Sequence, residues 1–135
     1  MADYIAKMRS NYFQVKNAKK FKVFCERYRL EAITEDDKAK AADQRHGFMA
    51  DGSIPTGRCN AKGDWIETDF LKELSRHLVK GEVAVIMEIG SEKMRYLTGV
   101  AVAVNAAGQA TDVSLSDIYA LARGTFGVEP SLAEY

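Results

Sequence analysis

The sequence predicts a two-layer α+β domain: a four- to five-stranded, mainly antiparallel sheet with three helices on one of its faces. Three observations carry this expectation. Residues 82–105, EVAVIMEIGSEKMRYLTGVAVAVN, hold two apolar runs separated by a short polar break, the pattern of a central β-hairpin. Two further segments set apolar side chains at the i, i+3, i+4, i+7 spacing of a helix face. The elements then follow as strand, helix, one or two strands, helix, hairpin and helix, an order in which strands pair antiparallel and helices share a layer. A chain of 135 residues makes one domain, residues 1–135. At that length folding buries roughly two-thirds of the surface of the unfolded chain, so neither a disulfide nor a metal is needed for stability.

Taken in order, residues 11–16 read as the first strand, with Phe13 and Val15 on one face and Tyr12 and Gln14 on the other. Asn17 caps a helix that runs to about Arg29 and buries Phe21, Phe24, Cys25 and Tyr28. Lys19, Lys20, Lys22 and Glu26 point away from that stripe. Residues 30–34 read as a strand, residues 35–45 as either a short exposed helix or a loop, and residues 47–50 as another strand. Residues 51–64, DGSIPTGRCNAKGD, are rich in glycine and include an Asp-Gly pair, so they form a loop or hairpin turn, closed by Trp65 and Ile66. Thr68 caps a second helix ending near Val79, with Phe70, Leu71, Leu74 and Leu78 inward and Gly81 stopping it. With Ser91 and Glu92 at the hairpin tip, Val83, Val85, Met87 and Ile89 share a face with Val100, Thr98, Tyr96 and Met94. In that register Val85 and Val100 are buried and Glu88 stands opposite Arg95. Residues 105–108 turn the chain. Ser114 with Asp117 opens a third helix that buries Leu115, Ile118 and Ala122 and ends at Gly124 and Gly127. The tail from Val128 is extended.

Composition excludes several classes. An apolar fraction of 47% and a charged fraction of 28% belong to a globule, and two prolines with ten glycines are too few for a disordered or fibrous chain. No apolar run approaches the ~20 residues of a membrane span. The N-terminus, MADYIAKMRSNYF, lacks the apolar core of a secretion signal. A cytoplasmic protein is expected, with reduced thiols: Cys25 inside the first helix stripe and Cys59 reachable on the loop. Formal net charge is zero but unevenly spread. Residues 1–29 carry eight Lys and Arg against Asp3 and Glu26, and the remainder of the chain is correspondingly acidic. Such asymmetry is that of a solvated lysine-rich helix face, and it can also steer an anionic partner toward the first helix.

No motif names a reaction. His46 lies in a polar connection, and His77 borders the second helix stripe. Cys25, His46, Cys59 and His77 are at least thirteen residues apart, without the close pairing of zinc ligands. Residues 57–63 lack the Lys-Ser/Thr of a phosphate loop. Asp36, Asp37, Asp43, Asp51 and Asp64 lack the alternating spacing of a calcium loop. No catalytic residue, metal ligand or cofactor site is assigned on these grounds. What remains is surface: Arg9, Asn11, Tyr12 and Lys16 around the first strand, Lys19, Lys20 and Lys22 on the first helix, and Asp51 and Arg58 in the loop. An exposed tyrosine among arginine and lysine suits a protein interface or a phosphate backbone.

Four stretches carry a resemblance. They are Arg9-Ser10-Asn11-Tyr12-Phe13 with Val15-Lys16; Gly81-Glu82-Val83-Ala84-Val85 through Glu92-Lys93-Met94-Arg95-Tyr96-Leu97-Thr98-Gly99; Ala101-Val102-Ala103-Val104-Asn105; and Ser114-Leu115-Ser116-Asp117-Ile118-Tyr119. In these the chain resembles a group of small uncharacterised proteins carried by bacterial phages, prophages and plasmids. The likeness covers nearly everything but the middle loop, where the group has more glycine and tryptophan than Asp51-Gly52-Ser53-Ile54-Pro55. It implies a non-enzymatic binding protein in the bacterial cytoplasm, such as an inhibitor of a host CRISPR or restriction complex that acts by protein–protein contact. A nucleic-acid-binding accessory protein using the basic residues 1–29 is the alternative.

Overall fold

A computed structural model describes residues 4–36, 38–40 and 43–134. Expectations that touch Asp37, Ala41, Ala42 and Tyr135 lie outside them. The described chain forms β1 (Tyr4–Ser10), α1 (Ala18–Arg27), β2 (Glu31–Thr34), β3 (His46–Asp51), β4 (Gly57–Cys59), β5 (Trp65–Glu67), α2 (Phe70–Ser75), β6 (Val83–Glu92), β7 (Tyr96–Asn105), β8 (Ala110–Ser114) and α3 (Asp117–Phe126). One six-stranded sheet runs β2-β3-β1-β6-β7-β8 with antiparallel neighbours throughout, and β4 pairs with β5 in a separate ribbon. The α+β class, the antiparallel sheet and the three helices match the sequence reading. The sheet is larger than the four to five strands expected.

The extra strands come from segments whose patterns mislead. In β1 the inward residues are Ala6, Met8 and Ser10, of which only Met8 is large and apolar, while Ile5 points outward, so the alternation is nearly silent. Residues 11–16, expected as the first strand, make only isolated bridges, Phe13 with His46 and Val15 with Leu78. β8 is a short polar edge strand, which hydropathy does not mark.

The helices α1 and α2 cover one sheet face. Asn17 caps α1 by accepting from Lys20 N at 3.0 Å, and Phe21, Phe24, Cys25 and Tyr28 are buried, as the spacing requires. They meet Phe70, Leu74 and Leu78 from α2 and its extension, and Met8, Phe48, Ala84, Ile86 and Val104 from the sheet. Burial pushes the Cys25 thiol up to about 12, with Glu26 adding to it; Cys59 is exposed, and both cysteines are free. Asp69, not Thr68, caps α2, and the helix proper ends at Ser75. From there the chain leaves the helix to join residues 14–16: Val79 N donates to Gln14 O, and Lys16 N to His77 O.

The third helix departs from expectation. Leu115 and Ile118 are exposed, Ala122 is only half-buried, and α3 buries no residue. It starts beyond β8, the edge of the sheet. Its ties are polar: Ser114 N to Asp117 Oδ2 at 2.7 Å, and Ala133 N to Tyr119 Oη at 2.7 Å.

The hairpin register also differs. Glu92 pairs with Tyr96 and Val83 with Asn105, so the tip is Lys93, Met94 and Arg95, with Lys93 left-handed at φ 52°. Gly90 does not help turn the chain. It continues the strand beneath the Tyr4 ring, which a Cβ there would strike. Ala84 and Ile86 therefore face the core with Val102 and Val104, while Val83, Met87 and Ile89 face outward and Val85 is half-buried. Val100 is likewise half-buried. Glu88 stands opposite Val100, accepting from Ile54 N at 2.6 Å, and Arg95 in the turn bonds Glu92 at 3.2 Å instead.

Candidate functional site

Folding gathers part of the basic N-terminal region at one place. The i, i+3/i+4, i+7 row Lys20, Val23, Phe24, Arg27 runs along α1 and faces the row Glu73, Arg76, His77 of α2 and the turn after it. Arg58 of β4 reaches the same place. Between them lies an open cleft of about 570 Å³, whose cations are Lys19, Lys20, Arg27, Arg58 and Arg76 and whose one carboxylate is Glu73.

That carboxylate is already engaged. Glu73 Oε2 accepts the Tyr28 hydroxyl, and Glu73 Oε1 lies 3.6 Å from Arg58 Nη2. Tyr28 Oη also lies 2.6 Å from Thr68 Oγ1, and the Arg58 guanidinium sits 5.9 Å from the centre of the Tyr28 ring. Burial first, and the bond to Glu73 second, raise the Tyr28 phenol above its usual range, so it stays a donor at neutral pH. Arg58 Nε is shielded from solvent and has no acceptor among the described residues. His77 packs on Phe24 and Phe21, at 4.9 and 6.2 Å between ring centres. Burial above all holds it below the ordinary histidine value; Glu73 opposes this, and Lys16, Lys20 and Arg27 reinforce it. The cleft thus offers positive charge and N–H donors on packed elements, which is what a group of carboxylates or another polyanion needs.

Of the residues singled out in the sequence, Lys19, Lys20 and Arg58 line this cleft. Lys16 lines a neighbouring hollow with Lys19 and Gln14, and Lys22 stands exposed on α1 away from both. Arg9 and Asp51 lie on the opposite side of the sheet, at a shallower hollow with Lys7 and Glu31; Lys7 pairs with Asp51 at 3.3 Å. The Arg9 guanidinium lies 5.6 Å from the centre of the Tyr12 ring. Asn11 proves architectural: its side chain donates to Val83 O at 3.1 Å and accepts from Val85 N at 2.7 Å, extending the β1–β6 ladder. Arg27, Arg76, Glu73 and Tyr28 are the cleft residues that sequence reasoning passed over. Arg27 follows Lys20 by two turns of α1 and Tyr28 belongs to the α1 stripe, but no sequence signal says that the two helix rows face each other.

Among the described residues no three His, Cys, Asp or Glu side chains come together as a metal site. Among the same residues no helix is long and apolar enough to cross a membrane. Fold and cleft together define a small α+β domain with a groove on its helical layer lined by five cationic side chains and Glu73. No protein-family model, no curated protein and no solved structure matches the chain.

Proposed function

We propose that the protein is a non-enzymatic binding protein that holds an acidic segment of a protein partner in the cleft between α1 and α2. The observation that carries this reading is the balance of charge there: five cations against one carboxylate that Tyr28 and Arg58 already occupy. The chain as a whole has zero formal charge, so this is a local device and not a consequence of bulk basicity. A protein partner suits it better than a nucleic acid. A phosphate backbone is tracked by a continuous basic stripe, whereas Arg9 and Lys7 lie across the sheet beside Asp51 and Glu31. The resemblance read in the sequence supplies the choice of target, a complex of a bacterial host's defence system.

Capture from a bacterial lysate, with and without nuclease, tests the reading. The expected partner survives nuclease and is lost, or associates at least tenfold more slowly, with Lys19→Glu/Lys20→Glu, while Lys22→Glu, away from the cleft, behaves as the parent. Capture abolished by nuclease, with a steep dependence on salt, would favour the nucleic-acid alternative. Equal capture by parent and cleft variant would dismiss the cleft.

A further inference from the structure

The sheet has two faces, and the helices cover one. The other carries the outward row of each strand. Ile5, Met87, Ile89, Leu97 and Val113 there are 56–65% exposed. They are contiguous: Met87 pairs with Ala101, which pairs with Val113, and Ile89 lies diagonally between Ile5 and Leu97. Leu115 closes the patch by lying over Gly99. With the half-buried Val85, Ala101 and Ala103 between them, these residues form one contiguous apolar patch, the kind of surface that marks an interaction site.

We propose that a second copy of this chain covers this face, the two sheets packing against each other across a two-fold axis. Four features select a copy over a foreign protein. From β6 to β8 the patch holds no charged side chain, Lys7 and Arg9 opposite Ile89 and Met87 forming its border on β1, and homodimer interfaces are more apolar than those of partners that come and go. A face this apolar requires cover whenever the chain is folded, and another copy is always at hand. The chain's zero formal charge lets two copies meet without net repulsion. The rim is self-complementary: Lys7 and Asp51, adjacent and of opposite sign, edge the patch on the β1–β3 side, so a two-fold can match each with the other's counterpart. Sheet-on-sheet packing of this kind is the ordinary way to bury two such faces. It leaves the helical layers outside, so both basic clefts remain open and the dimer is bivalent. The inference does not depend on what the cleft binds.

Sedimentation equilibrium of the full chain across micromolar concentrations should give twice the 15.0 kDa chain mass. Met87→Lys/Ile89→Glu, two outward positions off the core, should weaken self-association at least a hundredfold while Cys25 stays protected from thiol reagents, and Lys19→Glu/Lys20→Glu should remain dimeric. A second readout needs no substitution: in the parent, hydroxyl-radical footprinting should oxidise Met87 at least tenfold more slowly than Met94 in the hairpin turn, although both are exposed in the single chain. A parent that sediments as one chain at all concentrations, a Met87→Lys/Ile89→Glu variant that dimerises as the parent does, or equal oxidation of the two methionines would overturn the proposal.

Discussion

Gly90 shows how one residue settles a register. The glycine beside Ser91 and Glu92 suggests a turn, yet here it is a strand residue kept bare so that Tyr4 can cross it and bring its hydroxyl to 2.6 Å from Thr98 Oγ1. Gly90→Ala should cost about 1–2 kcal/mol, because the half-exposed Tyr4 ring must swing aside and give up that bond. The cost should largely vanish when Tyr4→Ala is combined with it; additive losses in denaturant unfolding would contradict the contact. The two histidines give a pH dependence. Burial lowers both His46 and His77, so between the ordinary value near 6.5 and their lower folded values the unfolded chain binds more protons. Stability should therefore fall as pH drops through that window, and a melting temperature that rises on acidification from pH 7 to 5.5 would reverse the sign. The thiols divide similarly. Cys59 should react with a thiol reagent in the native protein and Cys25 only on unfolding.

At the scale of elements, what was legible depended on how sharply a pattern distinguishes its two sides. α1 was readable because Phe21, Phe24, Cys25 and Tyr28 alternate with lysines at a period only a helix has. α2 was readable for the same reason, though its end was not, since Leu78 continues the apolar pattern while serving a bridge to Val15. β6 and β7 were recognisable as strands, but their register was not, because both rows of β6 are apolar. The row Val83, Val85, Met87, Ile89 is the bulkier one, yet Ala84 and Ile86 face the core; the packing of α1 and α2 makes that choice, and it leaves no trace in the hairpin itself. α3 misled in the opposite way: its stripe is real and none of the described residues buries it. Ile86→Ala should thus cost about 2–5 kcal/mol, whereas Leu121→Ala on α3 should change stability by less than about 0.5 kcal/mol. Similar losses for both in urea unfolding would mean that α3 packs on the core.

The whole molecule has two sides with different chemistry: a helical layer with a basic cleft, and an open sheet face that is apolar over β6–β8 and charged over β1–β3. The cleft was half visible beforehand. The sequence marks Lys19, Lys20 and Arg58 as surface candidates, but the partners Arg27 and Arg76 and the engaged Glu73 come together only when α1, α2 and β4 meet. Asn11, by contrast, has the look of a surface donor and spends its side chain on the ladder. The open sheet face is not legible in the sequence, because a row of Val, Met and Ile in a central strand reads as core. The claim that the cleft receives anions is tested most directly by the titration of His77, which lines it. The imidazole signal is followed by NMR from pH 4 to 8 in the parent protein, with and without a hexaglutamate peptide. The account predicts a free value below the ordinary 6.5 and a rise on adding peptide, because nearby carboxylates favour the imidazolium, with the rise abolished by Lys20→Glu/Arg76→Glu and reduced by salt. A His77 titration unmoved by saturating peptide, with the peptide's shifts gathered instead around Met87 and Leu97, would contradict it.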